Sequence, residues 1–168
     1  VAANGYTDAG SNNNTASAEF NWTQDDTAPT VSGVTSSTAD GSYITDDVIS
    51  ILVVFNEAVT VTGVPQLTLE TGGSDAVVNY TSGSTSTILK FNYTVGAGHT
   101  SSDLDYKATT SLALNGGTIK DAYGNSATLT LATPGQTNSL SSNKSLVIDT
   151  TAPAPTMTAV DADGNAVA

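Results

Sequence analysis

A short phrase occurs twice in this chain at a fixed register. Residues 25–29 read Asp-Asp-Thr-Ala-Pro and residues 149–153 read Asp-Thr-Thr-Ala-Pro, so the two prolines lie 124 positions apart. An Asp/Gly/Asn turn precedes each copy: Asp8-Ala9-Gly10-Ser11-Asn12 before the first, Asp121-Ala122-Tyr123-Gly124-Asn125 before the second. An apolar segment comes between turn and phrase in both, Ala18-Glu19-Phe20-Asn21-Trp22-Thr23 and, after Leu129 and an insertion, Ser145-Leu146-Val147-Ile148. Such self-similarity marks tandem units that end in the same way. It predicts that 1–24 is the last loop and strand of a preceding repeat, 25–149 a complete domain, and 150–168 the linker and first strand of a following one. That first strand is expected near Thr156–Val160, before the turn Asp161-Ala162-Asp163-Gly164-Asn165. The Ala-Pro step fixes φ and holds its predecessor extended, so the linker is expected to be semi-rigid.

The 25–149 unit reads as all-β. Thr and Val suit a pleated, half-buried strand, and Gly, Asn and Asp suit the turns between strands. No stretch shows sustained helical spacing of apolar residues. Alternation and turn signals predict strands near Val31–Ser36, Val48–Phe55, Val59–Thr62, Gln66–Glu70, Ala76–Tyr80, Thr87–Val95, Leu112–Leu114, Thr118–Ile119, Ala127–Leu131 and Ser145–Ile148. Short strands at this spacing point to an immunoglobulin-like Greek-key β-sandwich, with partial strands of neighbouring repeats at both ends. Tyr106, in Asp103-Leu104-Asp105-Tyr106, stands where such folds carry a tyrosine corner; an ordinary half-buried tyrosine fits as well.

Several segments resemble the tandem bacterial immunoglobulin-like (Big/cadherin-like) repeats of giant surface adhesins and large secreted proteins. They are the Asp-Thr-Thr-Ala-Pro linker, the run from Phe55 to Gly72, the run from Tyr93 to Tyr106, and Leu114 to Asn125. The resemblance spans residues 26–153. It implies a sandwich fold, head-to-tail chaining, an extracellular or cell-surface location and, in several branches, Ca2+ at the domain junctions.

The charge is consistent with that. Sixteen acids face four lysines, for a net charge of −12, so nucleic acid and anionic membrane are poor partners. No membrane insertion is expected, since the longest apolar run is Ile51–Phe55. The chain has no cysteine, which excludes disulfides and thiolate metal sites. Carboxylate-rich loops suit Ca2+, a hard cation that takes six to eight oxygens. If the strand after Val31 runs away from the linker and the next returns, Asp25, Asp26, Glu57, Asp121 and Asn125 converge at one pole. Asp40, Asp46, Asp47, Asp103, Asp105 and Asp149 then gather at the other, where the next domain begins. The same aspartates also suit plain turns.

Catalysis is not expected. The single histidine, His99, sits in the loop Gly96-Ala97-Gly98-His99-Thr100, and no nucleophile elbow occurs. Glu57 and Asp121 could be set side by side as a glycosidase pair, but aromatics to line a sugar cleft are few. Three roles are open at this point. The chain is a stiff spacer between adjacent repeats, a subunit that joins other copies of itself into a filament by strand complementation, or a carbohydrate- or surface-binding adhesin module.

Overall fold

The computed structural model describes residues 24–154 without interruption, together with residues 5, 7 and 9–11. The strands expected at 18–23 and 156–160 lie outside the described residues.

The described part is all-β. In order it contains β1 (Val31–Ser36), β2 (Gly41–Tyr43), β3 (Val48–Thr62), β4 (Gln66–Glu70), β5 (Ala76–Ser82) and β6 (Ser86–Thr94). Then come β7 (Thr100–Ser101), β8 (Asp105–Tyr106), β9 (Leu112–Ala113), β10 (Thr118–Lys120), one helical turn α1 (Leu140–Asn143), and β11 (Leu146–Asp149). The larger sheet runs β1-β3-β6-β5-β4-β8, with β10 paired to β3 and β9 to β4. A smaller sheet runs β2-β11-β7, in which β2 and β11 are parallel.

The larger sheet curls at β5. Ala76–Asn79 pair with Leu69–Gln66 of β4, whereas Tyr80 and Ser82 pair with Phe91 and Lys90 of β6. Period-two alternation sets what each strand buries. Ile49, Ile51, Val53 and Phe55 of β3 and Leu89, Phe91 and Tyr93 of β6 point inward, and Leu67, Leu69, Tyr106, Leu146 and Ile148 join the same cluster. Each such side chain contributes about 1.5–3 kcal/mol by leaving water. The result is a sandwich-like stack closed over one core.

Some expectations are corrected. The strand expected to end at Phe55 runs on to Thr62 as one element, with a register shift between Val54 and Val59. Its far half pairs with β10, Thr62 against Thr118 and Thr60 against Lys120. No strand forms over Ala127–Leu131. Only Thr128 bridges, to Thr30, and the Leu131 N–H goes to the Thr109 carbonyl at 2.9 Å. Tyr106 does not make the corner. Its hydroxyl donates downstream to the Ala132 carbonyl at 2.6 Å, tying that irregular segment to the core.

Candidate metal centre

The core-facing row of β3 includes an acid. Phe55 and Val59 are buried, and Glu57 lies between them on the same face, half-buried. β10 does likewise. Ile119 is buried against the core, and Asp121, two residues on, is buried too. The β3–β10 pairing sets Lys120 opposite Thr60, which brings Asp121 to the stretch of β3 that carries Glu57. The linker supplies the third acid, Asp25, and Asn56 pins the linker's end by donating its N–H to the Thr30 carbonyl (3.0 Å) and accepting the Thr30 N–H on Oδ1 (2.7 Å). One carboxylate oxygen from each of Asp25, Glu57 and Asp121 lies within 4.8 Å of the others.

Local chemistry fixes two of the three. Asp121 Oδ1 accepts the backbone N–H groups of Tyr123 and Asn125, both at 2.8 Å, which is how an aspartate closes a turn. Asn125 reaches back with its amide to Asp121 Oδ2 and to the Asp25 carbonyl, each at 2.7 Å. Asp25 Oδ1 accepts the Thr27 N–H at 2.9 Å. Burial pushes the Asp121 carboxyl up. The Asn125 amide and the N–H groups of Asn125, Tyr123 and Gly124 outweigh that and hold it below its ordinary value, so it is an anion near neutral pH.

The donor set fits a hard cation. Two oxygens on one Ca2+ at about 2.3–2.6 Å can be at most about 5 Å apart, and the triad meets that limit. Among the described residues no basic group pairs with these three carboxylates, which also suits a divalent charge. Of the five residues expected at this pole, Asp25, Glu57 and Asp121 converge. Asn125 donates its amide to Asp121 Oδ2 and to the Asp25 carbonyl. Asp26 is exposed, accepts from Gln24 Nε2 at 2.8 Å and stays outside the group.

No protein-family profile, curated protein or solved structure matches this chain.

The six acids expected at the opposite pole do not converge. Among the described residues, no second group of three acidic or histidine side chains comes as close as the first. Asp40 pairs with Lys144 at 2.7 Å, and that contact, with the Ser145 N–H, holds its carboxyl below the ordinary value. Asp47 accepts the Ile44 N–H at 2.9 Å, and Asp103 the Leu146 N–H at 3.3 Å. Asp46 takes a left-handed turn conformation (φ 72°). Asp149 Oδ1 accepts the Thr151 N–H at 2.9 Å.

Asp105 differs most from expectation. It is buried, and its carboxylate accepts the N–H groups of Tyr106 (2.8 Å), Gly135 (2.9 Å) and Leu140 (3.2 Å) and the Ser141 hydroxyl (2.7 Å). It is the anchor of the 135–141 loop. Nothing in its sequence neighbourhood signals this, because its partners in that loop lie 30 and more residues away.

His99 is built into its loop. Its ring stacks on Tyr93 (centroids 5.8 Å apart), and Nδ1 accepts the Gly96 N–H at 3.1 Å and lies 2.8 Å from the Tyr93 hydroxyl. The backbone of the same loop grips the exit linker. Gly98 N–H donates to Thr150 Oγ1 (3.1 Å), which donates to the His99 carbonyl (2.9 Å). Sequence reading had no signal for that grip beyond the repeated linker phrase.

Proposed function

We propose that this chain is an extender repeat of a large bacterial cell-surface or secreted protein of the adhesin type, stiffened by Ca2+ where one repeat joins the next. The convergence of linker Asp25 with body residues Glu57 and Asp121 carries the reading. A turn former needs no partner 32 or 96 residues away, and a cation held by all three would cross-link the linker to the domain.

The strand order supports an immunoglobulin-like Greek key. Taken as strands A, B, E and D, β1, β3, β6 and β5 follow one another in one layer. The parallel β2–β11 pair then corresponds to A′ and G. The stretch from β7 to β8 corresponds to F, between β11 and β4. In such a unit the chain enters at one pole and leaves at the other, which is the geometry a stalk requires.

The two linkers also behave alike. Thr27 N–H bonds Asp25 Oδ1 and Thr151 N–H bonds Asp149 Oδ1, both at 2.9 Å. Asp149 of one repeat is thus the counterpart of Asp25 for the next. The metal would neutralise stacked carboxylates and restrict the hinge between domains.

Thermal unfolding in Ca2+ and in chelator tests this. At a hundred times its Kd, a native-state ligand adds about 2.7 kcal/mol, which raises Tm by roughly 10 °C for a domain of this size. Glu57→Gln and Asp121→Asn are expected to abolish the shift. Superimposable melting curves for the wild type would refute the reading.

A further inference from the structure

We infer that the exit pole is a docking surface for the entry pole of the following repeat, through an apolar contact of Ile44 and Val48 with the Tyr123 turn. The inference rests on the tandem-stalk reading and requires no metal. It begins with the linker, which is held from both sides. Asp149 is the last residue of β11 and pairs with Thr100, and Thr150 is bonded to Gly98 and His99. At the entry pole the corresponding phrase is gripped just as closely. The Asp25 carbonyl accepts from Asn125, Pro29 is buried, and its carbonyl accepts the Thr128 N–H at 2.8 Å.

Setting the two phrases in the repeat register, one unit holds the chain as far as Thr150, and the next buries it from Pro153 and already grips the carbonyl of Asp149, the counterpart of Asp25. At most Thr151 and Ala152 remain between. Three Cα steps of about 3.8 Å reach at most about 11 Å, which is close to the spacing of two packed protein layers, about 10 Å. Two units joined this way have their poles in contact.

The surfaces that meet carry large apolar side chains. Ile44 is 63% exposed and follows Tyr43, whose partner in the parallel pairing is Ile148, so Ile44 stands beside Asp149 at the exit. Val48, 54% exposed, opens β3 at the same end, next to Asp47, whose carbonyl accepts the Val95 N–H at 2.9 Å. Tyr123, 61% exposed, projects from the turn whose Asn125 holds the linker at the entry pole. A single exposed apolar residue needs no explanation. Here three of them occupy the two poles that the short linker forces together, and the occupant that fits is a second copy of this fold.

The test is a tandem protein: the full chain extended at Pro153 by a second copy of residues 30–168, studied by 15N relaxation in chelator. Two units docked as one body tumble with a correlation time about twofold longer than the single chain. Ile44→Ser with Val48→Ser in the first unit, or Tyr123→Ser in the second, is expected to return each unit to the single-chain value. The same substitutions in the single chain serve as the folding control, and its melting temperature is expected to stay unchanged because all three side chains are exposed. Independent tumbling of the wild-type tandem in chelator would overturn the inference, as would joint tumbling that ignores both sets of substitutions. Joint tumbling that needs Ca2+ and ignores the substitutions would leave the metal reading standing and remove this one.

Discussion

The carboxylate of Asp105 holds a loop that has no sheet pairing of its own, and removing it gives a sharp test of the fold. In Asp105→Ala the N–H groups of Gly135 and Leu140 and the hydroxyl of Ser141 lose their acceptor. A hydrogen bond to a charged group is worth about 1.5–3 kcal/mol, and a buried donor left without a partner costs about 1–3 kcal/mol. Leu140 is fully buried, so water cannot reach its N–H, whereas Gly135 is exposed and recovers much of its loss. The expected destabilisation is about 3–5 kcal/mol, a large part of a typical domain's stability of about 5–15 kcal/mol. Asp105→Asn keeps one acceptor oxygen and is expected to lose roughly half as much. Urea unfolding followed by far-ultraviolet circular dichroism, extrapolated to water, measures both. A loss below about 1 kcal/mol for Asp105→Ala would refute the anchoring role. A change in Ca2+ response without a change in stability would instead make Asp105 a ligand.

Three further outcomes are expected. Burial pushes the Tyr93 and Tyr106 hydroxyls up to about 12, with the Asp105 charge adding to the effect at Tyr106. Their neutral forms are favoured in the folded state, so this contribution is complete below pH 10 and is lost as pH rises towards 12; a denaturant series across that range should show the fall, and Tyr93→Phe should reduce it. Asn125→Ala removes the amide that joins Asp121 to the Asp25 carbonyl, and urea unfolding should show a loss of about 1–2 kcal/mol together with weaker Ca2+ stabilisation. Gly117→Ala would set a Cβ 2.2 Å from the Thr62 carbonyl oxygen where β3 and the β9–β10 turn cross, so a loss above about 2 kcal/mol is expected by the same assay.

The long alternating strands were legible in the sequence. β1 and β4 have the bounds that alternation indicates, and β6 differs by one residue at each end, because each presents one apolar face to the core. β2, β7 and β8 were not legible. Two or three residues carry no period, and their pairing is decided by what lies opposite. Ala127–Leu131 alternates as a strand should, yet Thr109 and Tyr106 claim its neighbourhood and only Thr128 pairs. At the candidate site the repeated turn pointed to Asp121 and Asn125, and the linker phrase to Asp25. Alternation that stops at Phe55 puts Glu57 there as a loop residue at a strand end. It is there because β3 shifts register and continues, which leaves an acid in a core-facing row. At the opposite pole the acids are met by local partners. Counting acids by loop ignores their local partners, and Asp40, Asp47, Asp103, Asp105 and Asp149 each already accept a specific N–H group or pair with a lysine.

The proposed Ca2+ at the entry junction would be held by Asp25, Glu57 and Asp121 together. Anomalous scattering from crystals of the full chain grown in Ca2+ tests it most directly. One strong peak is expected about 2.3–2.6 Å from a carboxylate oxygen of each of the three residues. A map with no peak among them, while the three carboxylates keep their positions, would contradict it.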